Sequence, residues 1–262
     1  MTLVRTSHFL FLCTLLSTPL FAQGYIAYRD QAYDTLPGMD PNLLSIDIYM
    51  PMGATQPLPT VVYVHGGYWN AGDKAHVGSK ADLFTKAGYV FASANYRLSP
   101  DPPDTAAVDA VRHPTHARDV AHAIAWLHRN AAPYSIDTAR MLLIGHSAGA
   151  HLVDIVATNP RFLDEAGLSL HAIRGTCSLD AGVLDVPWEL YQARNLPVRS
   201  IPLLNAFGKD TALWIDASPL RQVRRDRSIP PFLIVHQNTA DRVTSSAAGN
   251  ITELREKGFL PD

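Results

Sequence analysis

The chain has 262 residues, 47% of them hydrophobic and 18% charged, with a formal net charge of −2 and 2 cysteines. That balance describes an ordinary soluble globular protein, and with no basic stripe or acidic tail it excludes nucleic acid and anionic membrane as charge-driven partners. What remains is a small molecule or another protein, handled by a chain of a length that α/β proteins often fold as one domain.

Residues 1–22 stand apart. Arg5 precedes the apolar run FLFLCTLL, and STPLFA ends on a small residue before Gln23. This pattern predicts an export signal cleaved after Ala22, and the run is too short to span a bilayer. The bulky Phe11 and Leu12 argue against a lipid anchor at Cys13. The expected protein is secreted or periplasmic, with no membrane contact after signal removal. Cys177 is then its only cysteine, so no intrachain disulfide is expected, and its apolar surroundings predict packing rather than reactivity.

In chain order, Ser45–Met50 alternates like a half-exposed strand. Thr60–His65, Tyr89–Asn95, Met141–His146 and Pro231–His236 are continuous apolar runs, which suit parallel strands covered on both faces. A further strand-like run surrounds Cys177–Leu179. Val120, Ala123, Ile124 and Leu127 recur at helical spacing within Thr115–Asn130. Ala148–Thr158 and Ala247–Lys257 are further helix candidates, the last stopped by Gly258. Strand–helix alternation predicts an α/β fold: a mostly parallel sheet with right-handed crossovers and helices on both faces. Its functional site is expected at the carboxyl ends of the strands. No repeat or linker divides residues 23–262, which are expected to form a single domain with a small cap-like segment over about residues 183–217.

The motifs fall at those strand ends. Gly145-His146-Ser147-Ala148-Gly149 joins an apolar strand to a helix, and its glycines permit a tight turn that exposes Ser147 as a nucleophile. A helix N-terminus there favours developing negative charge. His65-Gly66-Gly67-Tyr68-Trp69 follows another buried strand. The N–H groups of Gly66 and Gly67, with that of Ala148, are candidates for an oxyanion hole.

HGGYW (His65–Trp69), NYRL (Asn95–Leu98), GHSAGAHL (Gly145–Leu152) and PPFLIVH (Pro230–His236) resemble α/β-hydrolases of the esterase/lipase group. The nearest resemblance is to small carboxylesterases, including feruloyl and acetyl-xylan esterases, and to kynurenine formamidase-like enzymes. It runs from about Tyr28 to Gly258. It implies an eight-stranded sheet, a Ser–Asp–His triad in that chain order, a small ester or acyl substrate, and no metal or organic cofactor. An arylformamidase is the rival activity, and a catalytically silent binding module the rival from another class.

In that family the acid lies in a pattern close to H-G-x-x-D-x-x-V. Here His236–Val243 reads HQNTADRV, so Asp241 fits one residue late and without the glycine. Asp185, in AGVLD, is the alternative acid. The base is expected after the acid, but residues 242–262 contain no histidine. The expectation is an incomplete triad with weak or absent activity, and Phe232–His236 left as an apolar sheet edge. Truncation, a histidine from another chain and a silent module are the competing explanations, with truncation favoured because Ser147 and the glycines are intact.

Other residues have plainer readings. His146 and His151 match motif positions and are expected to pack or hydrogen-bond, and His65 to brace its loop. His236 and His151 are the remaining candidates for an unorthodox base. His113, His116 and Asp119 are interrupted by Pro114, which predicts a solvated helix start rather than a metal site. Tyr68, Trp69, His146 and Trp188 are the candidate substrate-binding residues. Asp154 interrupts the apolar face of the helix after Ser147, where an unpaired buried carboxylate is costly. Nothing in the sequence sets the oligomeric state.

Overall fold

The computed structural model describes residues 24–235. Residues 1–22, His236, Asp241 and the helix expected over Ala247–Lys257 lie outside the described residues. Among the described residues seven strands form one sheet: β1 (Tyr25–Ala32), β2 (Ser45–Pro51), β3 (Leu58–Val64), β4 (Val90–Ala94), β5 (Ile136–His146), β6 (Ile173–Leu179) and β7 (Phe232–Val235), in the order β1-β2-β4-β3-β5-β6-β7. The β1–β2 and β2–β4 pairs are antiparallel, and β4, β3, β5, β6 and β7 run parallel.

The apolar runs explain the layering. Successive strand residues point to opposite faces, and β3 is apolar on both. Val62 and Val64 join Ile46, Ile48 and Ala92 against helices α2 (Thr115–Arg129) and α3 (Ala148–Thr158), while Val61 and Tyr63 join Tyr49 and Phe91 on the other face. Phe84 of α1 (Lys80–Lys86) packs onto that second face, its ring stacked on Phe91 at 5.5 Å. Helix α2 presents Val120, Ile124 and Leu127 to the core, as their spacing requires.

Two details depart from the sequence reading. Ser45–Met50 is not half-exposed: β2 is flanked by β1 and β4, and its polar Asp47 is buried. Asp47 accepts from Arg29 at 2.7 Å and pairs with the buried Lys74 at 3.1 Å, so its alternation reflects paired charge rather than solvent. Strand β1, unassigned from sequence, pairs with β2 through YIAYRDQA, whose Arg29, Asp30 and Gln31 hid its strand character.

Registers Val64 to Gly145, His146 to Leu179 and Leu179 to Val235 bring the carboxyl ends of β3, β5, β6 and β7 side by side. The remaining helices are α4 (Arg161–Glu165), α5 (Val186–Ala193), α6 (Pro197–Phe207), α7 (Thr211–Asp216) and α8 (Pro219–Gln222). Among the described residues β1 and β7 are the edge strands, and no helix is long and apolar enough to cross a membrane.

Candidate active site

Ser147 lies between β5 and α3 with φ 54° and ψ −117°, a conformation that costs a non-glycine residue about 1–3 kcal/mol. Its surroundings hold it there. The Ser147 N–H donates to the Leu179 carbonyl at 2.9 Å, and its own carbonyl accepts the His151 N–H at 3.2 Å. A methyl group on Gly149 would collide with the carbonyls of Val64 and His65, and one on Gly145 with the Gly149 backbone. Glycine at both positions therefore lets α3 start tightly against the end of β3.

The loop after β3 comes up beside this turn. A methyl group on Gly66 would lie 2.8 Å from the His146 carbonyl oxygen and 3.0 Å from Ser147 Cβ. Gly67, Tyr68 and Trp69 take φ values of 118°, 50° and 61°, and the Gly67 carbonyl accepts from the N–H groups of Asn70 and Ala71. Among the described residues no backbone acceptor takes the N–H of Gly66, Gly67 or Ala148. The loop, the helix start and Ser147 thus share one neighbourhood with donors to spare.

Buried side chains brace the loop. His65 stacks on Tyr96 at 4.6 Å, and its Nδ1–H donates to the Gly66 carbonyl at 2.8 Å; burial pushes its pKa down, so the ring stays neutral. Asn95 accepts the Lys74 N–H at 2.6 Å and donates to the Asn42 carbonyl at 3.0 Å. Trp69 donates its indole N–H to His151 Nδ1 at 3.2 Å, while His151 Nε2–H donates to the Ala217 carbonyl at 2.8 Å. Both ring nitrogens of His151 are thereby engaged, and burial pushes its pKa down to about 3. A fully buried ring with its lone pair taken by Trp69 is a structural bridge and not a base for Ser147.

A cavity of about 180 Å³ opens at this point, lined by Ser147, Ala148, Tyr68 and Trp69, by Asp180 and Gly182 after β6, and by Val183, Glu189, Arg199 and Leu203. The last four come from the segment expected to form a cap, Glu189 from α5 and Arg199 and Leu203 from α6. Tyr68 is 63% exposed and Trp69 is buried. His146 is exposed and contributes its carbonyl beside Gly66, but its side chain is not part of the cavity wall. Trp188, expected to bind substrate, is 44% exposed on α5, packs near Tyr191 and does not line the cavity.

Asp185 also has a different place from that of a triad acid. Its Oδ1 accepts the Trp188 N–H at 3.2 Å as the N-cap of α5, and its Oδ2 pairs with Arg221 at 2.8 Å. Both oxygens are committed to the start of α5 and to Arg221, and Asp185 is not in the cavity wall. The carboxylate that does line the cavity at the end of β6 is Asp180, whose φ is 50°. The sequence offered one signal for it: it is the first residue after an apolar strand.

The family model BD-FAE matches residues 46–253. The chain belongs to the BD-FAE family. Among characterised sequences it is similar to the esterase LipQ of Mycobacterium tuberculosis, at 28% identity over 93% of this chain and 57% of LipQ. It is also similar to the esterase LipC of the same organism, at 29% over 70% of this chain and 44% of LipC. A kynurenine formamidase-like hydrolase of Fusarium equiseti, fscH, is 32% identical over 61% of this chain and 56% of fscH. The chain thus spans about half the length of these relatives. Esterase B of Lactobacillus rhamnosis shares the fold, with a TM-score of 0.73 at 21% identity over 90% of this chain and 73% of that one. The α/β-hydrolase fold of this BD-FAE member follows from its sheet order and from that likeness.

Outside the cavity, one group of this BD-FAE chain differs from the expectation drawn from its sequence. His113, His116 and Asp119 are buried rather than solvated. Each has its own partner: His113 Nε2 meets Asp216 at 2.7 Å, His116 Nε2 meets Ser99 Oγ at 3.0 Å, and Asp119 takes two bonds from the Arg97 guanidinium, at 2.8 and 2.6 Å. They tie α2 to the cap end and to the NYRL loop. Asp154 is buried in α3; its Oδ2 accepts from Ser178 Oγ at 2.7 Å, and its Oδ1 has no partner among the described residues. Burial pushes its pKa up to about 7. Cys177 is a free, half-buried thiol whose pKa burial raises, which disfavours the reactive thiolate.

Proposed function

We propose that this protein is a serine hydrolase of the carboxylesterase type. In this reading Ser147 Oγ attacks the ester carbonyl carbon and its proton passes to a base. The N–H groups of Gly66, Gly67 and Ala148 stabilise the oxyanion that forms. Collapse of this intermediate releases the alcohol, which takes the proton back from the base, and water then hydrolyses the acyl-enzyme. Asp241 is the proposed acid that orients the base. The base itself is unassigned, and the engagement of both His151 nitrogens removes that residue from contention.

One observation carries the reading: the strained φ of Ser147 beside three N–H groups that no backbone acceptor among the described residues takes. Strain of this kind is retained where the surrounding structure enforces it, commonly at active sites. The test is hydrolysis of p-nitrophenyl butyrate by the wild type and Ser147→Ala. Loss of a nucleophilic serine lowers turnover on the order of 10⁶-fold in the reference protease series. Equal rates in the two proteins would reject the mechanism.

The similarity to fscH supports a second reading, an arylformamidase that cleaves an N-formyl arylamine. Comparing N-formyl and O-acyl substrates separates the two. Residues 1–22 support a further proposal, export with cleavage after Ala22, which N-terminal sequencing of protein recovered from cells and medium tests.

A further inference from the structure

The cavity beside Ser147 carries a polar feature that ester hydrolysis as such does not require. Glu189 on α5 and Arg199 on α6 both line it, and Arg199 Nη2 donates to Glu189 Oε2 at 3.2 Å. The Glu189 side chain is 2% exposed and that of Arg199 26%. A half-buried ion pair is a weak source of stability, so its presence in a pocket wall calls for another explanation. A guanidinium offers five N–H donors in one plane. One of them serves Glu189, and the Arg199 side chain makes no other hydrogen bond among the described residues. Glu189 also neutralises the guanidinium charge and fixes its orientation.

Size narrows the ligand. The cavity of about 180 Å³ is close to the ~150 Å³ void that accommodates benzene. Leu203, Val183 and Trp69 make much of its wall apolar. The group that stays on Ser147 through the acyl-enzyme stage is the acyl group, whereas the alcohol must leave. A largely apolar cavity next to Ser147 suits the part that stays.

We propose that Arg199 is a specificity-determining residue that recognises a neutral oxygen acceptor, a hydroxyl or carbonyl, on a short acyl group held in this cavity. The inference rests on the serine hydrolase reading. A neutral acceptor fits better than a carboxylate, because a second anion at the same guanidinium would stand against Glu189.

Three p-nitrophenyl phosphonates of matched length test it, with butyl, 3-oxobutyl and 2-carboxyethyl tails. Each forms a bond from Ser147 Oγ to phosphorus and expels p-nitrophenolate, while the serine proton passes to the base or to solvent. Mass spectrometry of the Ser147 peptide reads the rate. The 3-oxobutyl reagent is expected to react about tenfold faster than the other two. In Arg199→Met this preference is expected to fall towards one. The double variant Arg199→Met/Glu189→Gln should do the same without leaving a buried carboxylate deprived of its guanidinium, which keeps the test valid if the single variant fails to fold.

Equal wild-type rates, a preference that survives in the variants, or fastest reaction with the carboxylate would each overturn this inference while leaving the hydrolase reading standing. Failure of all three reagents to modify Ser147 would overturn both.

Discussion

Trp69 and His151 are joined by a hydrogen bond of 3.2 Å, from the indole N–H of the glycine loop to Nδ1 of a ring in the helix that starts at Ser147. Because His151 Nε2–H donates to the Ala217 carbonyl, one neutral imidazole links the glycine loop, the helix that starts at Ser147 and the turn after α7. Phe207 at the end of α6 completes the cluster, with ring centroids 4.9 Å from Trp69 and 5.2 Å from His151.

Replacing His151 by Phe keeps a ring of similar size but orphans a buried indole N–H and a buried carbonyl. Each unsatisfied group costs about 1–3 kcal/mol, so His151→Phe is predicted to lose roughly 2–4 kcal/mol of stability. It should also slow modification of Ser147 by organophosphorus reagents. Urea denaturation gives the first number; a loss below about 1 kcal/mol would show that the bridge carries little.

His151 also sets an acid limit. Its folded pKa of about 3 lies below the ordinary value of 6.5, so the unfolded chain binds more protons between those two values. Its contribution to stability is therefore complete above pH 6.5 and is lost as pH falls towards 3. Stability curves of wild type and His151→Phe should converge on acidification over that window. Parallel curves would contradict the assignment.

Asp154 acts with the opposite sign. Its folded pKa of about 7 lies above the ordinary 3.8, so the folded state binds the extra proton and stability falls as pH rises from about 4 to 7. The full shift corresponds to a penalty on the order of 4 kcal/mol above pH 7. Asp154→Asn preserves volume and an acceptor for Ser178. It is predicted to be more stable than wild type at pH 8 and to show little gain at pH 4. Thermal unfolding at the two pH values checks this, and a uniform gain would show that titration is not the cause.

Gly66 tests the oxyanion geometry. A methyl group there meets the His146 carbonyl at 2.8 Å and Ser147 Cβ at 3.0 Å, so Gly66→Ala pushes the loop away from Ser147. Removing one oxyanion donor costs about 10²–10³-fold in the reference case. A loss of that size in ester turnover or Ser147 modification is expected, with the fold retained by circular dichroism. An unchanged rate would remove Gly66 from the site.

Much of this was legible in the sequence because apolar runs and glycine spacing report directly on buried strands and tight turns. Ala148–Thr158 is a helix with those bounds, and the strands after Thr60 fall where their runs predict. Charge was harder to place. Asp47, His113, His116 and Asp119 look like surface residues in isolation, and their burial depends on partners distant in the chain, such as Lys74, Asp216, Ser99 and Arg97. Asp185 and Trp188 suggested an acid and a pocket wall, but both belong to the capped start of α5. Glu189 and Arg199 carried no motif. The available clue was position, since Glu189 shares the buried face of α5 with Val186, Leu190 and Ala193.

The most direct test of Ser147 as an activated nucleophile is labelling with a fluorophosphonate, read by mass spectrometry of the tryptic peptides. A single adduct on Ser147 is expected, missing in Ser147→Ala and weaker in Gly66→Ala. Folded protein that takes no label, or takes it on another residue, would contradict the claim that Ser147 is an activated nucleophile.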